Sequence, residues 1–364
     1  MFGKIFKLGK LELHKQYMEI EREQKHTLID LFWECTLTCN AHCKHCGSSA
    51  EKKKYAGELT TQEAKDAFKQ IAEDYDASKI LINVTGGEPL TRADLCEVME
   101  YATNELGFHW GMTSNGMLLD EEMIEKLRKA NMETISISID GLRDTHDEFR
   151  GTPGGYDLII KNIKNLRKAG FVKHIQTTTV FNKSNIDQLE ELYQTMLDLE
   201  LDSWRLVSMD PIGRAKENDN LLLDGEDLKK IMEFIKKHNK NKKMRLDYGC
   251  PGFLGLDYEG VARPYFFFCR TGINVASILY NGDLFVCPNV PRIKRLIQGN
   301  IRTDRFSDVW ENKYKEFRKK DRTKCDKCSN CEYWEYCLGG AFHTWNFDKN
   351  IQNKCVYNMM YKGE

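Results

Sequence analysis

An α/β fold on parallel strands, followed by a metal-dependent C-terminal region, is the architecture that three features of this sequence predict. Strand-like and helix-like segments alternate six times between residues 28 and 238. The alternation stops near residue 245, where turns and cysteines take over. The 13 cysteines are clustered: four at 35–46, one at 96, eight from 250 to 355, and none from 97 to 249.

The elements follow in order. The apolar run LIDLFW (28–33) reads as a buried strand. Thr60 to Asp74 has helical spacing, with Thr60 as N-cap and Glu63 three residues on. KILINV (79–84) is a strand that ends in the turn TGGEP, and 92–105 is helical. FHWGMTS (108–114) is a strand, 121–130 a helix, and TISISID (134–140) an alternating strand. Residues 157–169 are helical and stop at Gly170, a C-cap residue. HIQTTTVF (174–181) and WRLVSM (204–209) are strands, each followed by a helix, at 187–200 and 225–238. Alternating units of this kind give parallel strands with right-handed crossovers. Six units are too few for an eight-fold barrel, so an open doubly wound sheet and a partial barrel both fit. Residues 246–364 lack the apolar periodicity for a large core and are expected to fold around metal. The expected organisation is an N-terminal segment (1–27), an α/β body (28–245) and a cysteine-rich region (246–364).

Composition narrows the function. With 41% hydrophobic and 30% charged residues, the chain is globular in type. A net charge of −1 gives no electrostatic footprint for nucleic acid. No apolar run approaches the roughly 18 residues of a membrane span. Lys4, Lys7 and Lys10 interrupt any secretory signal. Clustered cysteines without such a signal point to cytoplasmic metal or redox chemistry rather than to disulfides. The N-terminal FGKIFKLGKL has two readings, a cationic membrane-surface helix or a segment packed on the scaffold, and the second is preferred. Six Lys/Arg in residues 236–245 read as a solvated helix end, with a patch for an acidic partner as the rival.

The loop after the first strand carries Cys39, Cys43 and Cys46 as C-x3-C-x2-C. Three thiolates on one loop can hold three irons of a [4Fe–4S] cube and leave the fourth iron open. Zinc competes, because His42 or His45 could complete a four-ligand site. Cys35 and Cys96 read as ordinary buried thiols. After the second strand, Gly86 and Gly87 would let the backbone approach a ligand. The Glu88 carboxylate can pair with an ammonium.

Together the cysteine loop and Gly86-Gly87-Glu88-Pro89 resemble the radical S-adenosylmethionine (SAM) superfamily, which carries C-x3-C-x2-C after strand one and GGEP after strand two. Softer matches are Thr113-Ser114-Asn115-Gly116 and Ser136 to Gly141, followed by His146, Asp147 and Arg150. Where many members have an aromatic residue after the third cysteine, this chain has Gly47. The resemblance implies a partial (β/α)6, TIM-like barrel. It also implies a [4Fe–4S] cluster on Cys39, Cys43 and Cys46 with SAM at its open iron. The segment Gly86–Pro89 would meet the methionine amino group, and Asn115, Ser138 and Arg150 would lie near the cofactor. An Asp140–Arg150 ion pair is the structural alternative. The implied reaction is reductive cleavage of SAM to a 5′-deoxyadenosyl radical, which takes hydrogen from a substrate C–H bond.

Cys269-x12-Gly282-x4-Cys287 and Cys328-x2-Cys331-x5-Cys337, with a final Cys355, resemble the SPASM extension of these enzymes. Where that pattern has its next cysteine, this chain has Ala341. The resemblance implies one or two auxiliary [4Fe–4S] clusters. One would use Cys328, Cys331, Cys337 and Cys355. The other would use Cys250, Cys269 and Cys287, with Cys325 as the fourth ligand, or an open iron, or His343. A zinc ribbon is the rival. The resemblance points first to oxidative modification of a peptide or protein side chain, with a flavodoxin or ferredoxin as electron donor. Any peptide leader would be recognised by a separate protein or another surface, since about 27 residues precede the first strand. A small-molecule substrate, such as a tetrapyrrole or a quinone-cofactor precursor, is the alternative. A non-catalytic iron–sulfur electron carrier is the alternative of another class. Sulfatase maturation is disfavoured, because Pro288 stands where that subclass has an aspartate base.

Overall fold

The computed structural model describes residues 2–250, 252–320, 324 and 326–363. Cys325 lies outside the described residues. The six expected strands form: β1 (Asp30–Thr36), β2 (Leu81–Gly86), β3 (His109–Ser114), β4 (Thr134–Ser138), β5 (His174–Phe181) and β6 (Ser203–Ser208). They pair in parallel, each with the next in sequence.

Helices connect them on the outer face, at Thr61–Asp74, Leu95–Asn104, Glu121–Lys129, Gly155–Ala169, Leu189–Asp198 and Gly225–His238. The first is started by the expected capping box: Glu63 N donates to Thr60 Oγ1, and Thr60 N donates to Glu63 Oε2 at 2.8 Å. Such a cap contributes about 1 kcal/mol. Between sheet and helices lies the core. Trp33, Ile82, Trp110, Ile137 and Trp204 are all 0–1% exposed there. Each contributes roughly 1.5–3 kcal/mol of burial or more.

Four features depart from the expected pattern. A seventh parallel strand, β7 (Arg245–Tyr248), pairs with β6. The strand β8 (Val275–Ile278) pairs in parallel with β1, Asp30 facing Val275, and carries β9 (Asp283–Phe285) and β10 (Gly299–Asn300) beyond it. The sheet therefore has ten strands, in the order β10-β9-β8-β1-β2-β3-β4-β5-β6-β7. The division expected at 245 falls on the first residue of β7, and the cysteine-rich region adds strands to the same sheet. An extra helix (Arg143–Arg150) follows β4, and the N-terminus forms the helix Phe2–Ile20.

That N-terminal helix packs on the scaffold. Leu11 is buried against Phe253, Leu256 and Phe267, and Lys7 Nζ donates to Leu256 O at 2.7 Å. The basic stretch at 236–245 is a helix end and turn, with Lys237 paired to Glu190 and Arg245 to Asp247. Among the described residues no helix is long and apolar enough to cross a membrane.

Candidate active site and cysteine clusters

The C-terminal ends of the parallel strands converge on one cavity of about 450 Å³. Thr85 of β2, Thr113 of β3, Ser138 of β4, Thr178 of β5 and Val207 of β6 all line it. Side chains from five successive strands can face one space only if the sheet is curled. The body is thus a partial barrel, not a flat doubly wound sheet.

Cys39, Cys43 and Cys46 line the same cavity, on the loop after β1. Backbone bonds hold this loop at several points. His42 N donates to Arg150 O at 3.1 Å, and Lys44 N to Phe149 O at 2.9 Å. Arg214 donates from Nε to Cys43 O at 2.9 Å and from Nη1 to Ala50 O at 2.8 Å. Arg214 was not legible as a site residue, since its partners are carbonyls about 170 positions away. Beside it, Gly213 has φ +58°, and a Cβ there would lie 2.3 Å from Cys46 O and 2.5 Å from Gly47 O. Gly213→Ala is therefore expected to push the loop aside and destabilise the chain by about 1–3 kcal/mol. Urea denaturation and iron content after anaerobic reconstitution test this; wild-type values in both would refute it.

Burial pushes the Cys39 thiol up to about 11 and also raises Cys43, so neither is a thiolate by itself at neutral pH. A polynuclear iron centre would supply the positive charge that deprotonates them. Three thiols, converging on a cavity with room for a ligand beside them, fit a cube with one open iron. Among the described residues, no three His, Cys, Asp or Glu side chains are grouped tightly enough to hold a single metal ion. His42 sits next to the loop's backbone anchors, and His45 stacks on Phe149 at 4.6 Å, where burial lowers its pKa to about 4.

Gly86 and Gly87 line the cavity. Their lack of side chains is required by the chain beside them. A Cβ on Gly86 (φ +149°) would lie 2.2 Å from Thr36 O, and one on Gly87 2.3 Å from Thr38 O. Glu88 and Pro89 are buried and do not line the cavity. Glu88 is fully enclosed and accepts from Ser114 Oγ (2.8 Å), Leu90 N (3.2 Å) and Asn115 N (2.7 Å). Burial raises its pKa despite those bonds. With these bonds the carboxylate braces the turns after β2 and β3. Asn115 lines the cavity and ties the cysteine loop to β3, its Nδ2 donating to Asn40 Oδ1 at 2.7 Å. Arg150 also lines the cavity, and its Nε donates to Asp140 Oδ2 at 2.6 Å, both side chains buried. The Asp140–Arg150 ion pair, the structural alternative, is present, and it leaves Arg150 on the cavity wall.

The C-terminal region supplies the facing wall. Cys250, Asn289 and His343 line the cavity. Cys250 and Cys269 lie close enough to Cys287 to raise its pKa, which burial mainly pushes up to about 12. Cys269 Sγ donates to Thr271 Oγ1 at 3.4 Å. Ala341 is buried, and its methyl group belongs to the apolar cluster that Cys269 and Cys337 pack against. Cys328, Cys331, Cys337 and Cys355 line a second, smaller cavity together. His343 Nε2 pairs with Asp210 Oδ2 at 3.0 Å, and Lys354 Nζ with Asp210 Oδ1 at 2.5 Å. This network joins the end of β6 to the C-terminal segment; the sequence pattern did not reveal it. Cys35 is fully buried as expected, while Cys96 is half-buried.

Comparison with known proteins agrees with this geometry. Residues 33–196 match the family model of the radical SAM superfamily, and residues 269–332 match an iron–sulfur cluster-binding domain, SPASM. An AdoMet-dependent heme synthase of Methanosarcina barkeri is 32% identical over 328 residues, covering 84% of this chain and 89% of that protein. The mycofactocin maturase MftC of Mycolicibacterium smegmatis is 29% identical over 328 residues, covering 86% and 78%. The crystal structure of Streptococcus suis SuiB bound to S-adenosylmethionine superposes with a TM-score of 0.71 at 21% identity, covering 91% of this chain and 77% of that one, a likeness of fold. The chain belongs to the radical SAM superfamily, whose cofactors are a [4Fe–4S] cluster and S-adenosylmethionine, and it carries a C-terminal SPASM iron–sulfur domain.

Proposed function

We propose that this enzyme acts on a tetrapyrrole, in the manner of the heme synthase it resembles. The observation that carries this reading is similarity along almost the whole of both chains, at 32% identity. Cys39, Cys43 and Cys46 would hold the first cluster, and Gly86, Gly87, Asn115, Ser138 and Arg150 would surround SAM. Glu88 and Pro89 would act from behind the wall by fixing the turn. When bound, this pair supplies one-electron chemistry that removes hydrogen from a substrate C–H bond. The barrel wall excludes water, Asn115 keeps the cysteine loop in register, and the Asp140-bound Arg150 presents a fixed positive charge to the cavity.

Cys328, Cys331, Cys337 and Cys355 would hold one auxiliary cluster. Cys250, Cys269 and Cys287 would hold a second, with Cys325 or an open position completing it. His343 is already engaged by Asp210, which argues for its place in the polar network. The auxiliary clusters suit an oxidative reaction that passes an electron on, with a flavodoxin or ferredoxin as external donor. The cysteine chemistry favours an anaerobic, cytoplasmic setting. A barrel of residues 28–245 and a cluster-binding region of 246–364 remain the functional division, although one sheet spans both.

A second reading, modification of a peptide side chain, is favoured by the likeness to the mycofactocin maturase. The two are separated by 5′-deoxyadenosine release from the anaerobically reconstituted, dithionite-reduced enzyme. Iron coproporphyrin III is expected to raise release at least tenfold above the substrate-free rate. Stimulation by a peptide substrate and not by the porphyrin would overturn the first reading.

A further inference from the structure

Most of the cations around the cavity are already occupied. Arg150 is paired with Asp140, and Arg214 is spent on two loop carbonyls. Arg292 contacts Glu34 and lies 3.3 Å from Ser48 Oγ. His343 and Lys354 share Asp210.

Arg205 is the exception. It projects from β6, is the one exposed residue of that strand, and lines the cavity. Among the described residues its guanidinium has no hydrogen-bond or ion-pair partner. The neighbouring acids are committed elsewhere. Asp247, its partner in strand register, is bound by Arg245 at 2.7 Å. Asp30, which feels the charge of Arg205, accepts from Asn83 at 3.0 Å and lies 3.6 Å from Arg270. Space for the side chain is kept open by Gly249 on the adjoining strand end. A Cβ there would lie 2.5 Å from Val207 Cγ1 and 3.6 Å from Arg205 Cδ.

An arginine on a strand whose other side chains are buried or half-buried keeps five N–H donors in a planar fork with no protein group among the described residues to accept them. That fork matches a carboxylate in bidentate geometry. We propose that Arg205 anchors a carboxylate of the substrate in the cavity it shares with the cysteine loop, and so sets which C–H bond faces the reactive centre. The inference deepens the reading above, because a tetrapyrrole bears propionate side chains, yet it holds equally for a peptide that presents a carboxylate.

The test uses the anaerobically reconstituted enzyme, as wild type, Arg205→Lys and Arg205→Gln, with binding measured by absorbance or fluorescence titration. The probes are iron coproporphyrin III and its tetramethyl ester, a ten-residue peptide as free acid and as C-terminal amide, and SAM. At least one acid is expected to bind the wild type more tightly than its neutral derivative. Arg205→Gln should weaken that acid tenfold or more and leave the neutral form unaffected, and Arg205→Lys should recover part of the loss. If the peptide acid shows this pattern and the porphyrin does not, the anchor stands and the tetrapyrrole reading falls. If neither acid is preferred over its neutral form, or Arg205→Gln binds as the wild type does, the anchor is overturned. A matching loss of SAM affinity also overturns it, since the guanidinium would then serve the cofactor's own carboxylate.

Discussion

Replacing Cys39, Cys43 and Cys46 together with alanine is expected to remove about four irons per chain and to abolish 5′-deoxyadenosine formation, a loss of at least ~10³-fold. With three cubes the iron count falls from about 12 to about 8, and with two from about 8 to about 4. Either result tells whether the region around Ala341 completes its own cluster. The fold should survive the change. The loop is anchored through backbone groups, by the bonds from His42 N, Lys44 N and Arg214, and none of these needs a thiol. Unchanged iron with activity retained would show that the cavity thiols are not the cluster ligands.

The second large effect concerns Asp140. Its carboxylate is fully buried, takes Arg150 Nε at 2.6 Å on Oδ2, and accepts Val180 N at 2.7 Å on Oδ1. Asp140→Ala would strand the Arg150 charge in the cavity wall and leave the Val180 N–H unpaired. Breaking a buried pair from one side costs about 3–5 kcal/mol. Urea denaturation at pH 7 should show that loss, and a variant within about 1 kcal/mol of wild type would refute it. The pH dependence carries a definite sign. Burial pushes the Asp140 carboxyl up, but Arg150 foremost, with the neighbouring histidines, outweighs burial and holds it below its usual value of 3.8. Its contribution is then fully present above about pH 4 and is lost as pH falls through the lower folded value. The gap between wild type and Asp140→Ala should therefore narrow on acidification, not on alkalinisation.

What was legible in the sequence was the local part. The cysteine loop, the Thr60 cap and the six strand–helix units are written in neighbouring residues, and periodicity or spacing exposes them. The cation Arg205 was also in plain view within WRLVSM, but nothing local distinguishes a lumen arginine from a solvated one. The features that escaped are set by distant parts of the chain. β7 and β8 are four residues each, too short for an alternating pattern to stand out, and what makes them strands is the edge of β6 and of β1. The hydrogen bonds of Glu88 to Ser114 and Asn115 were equally hidden, because those residues lie at the next strand's end. Asp210, His343 and Lys354 are more than 130 residues apart in part, and no spacing rule connects them.

The pairing of β8 with β1 has a consequence for how the chain is made. β1 lies between β2 and β8, and about 240 residues separate its end from Val275. At ribosomal rates of about 5–20 residues per second, one edge of β1 waits roughly 10–50 s for its partner. During that interval the nascent barrel presents an unpaired parallel edge, directly beside the cysteine loop. Such edges template intermolecular pairing. The chain thus places its three-cysteine loop at an open seam of the growing polypeptide. Synthesis, chaperone capture and iron delivery would all compete for that seam before the C-terminal strands arrive to close it.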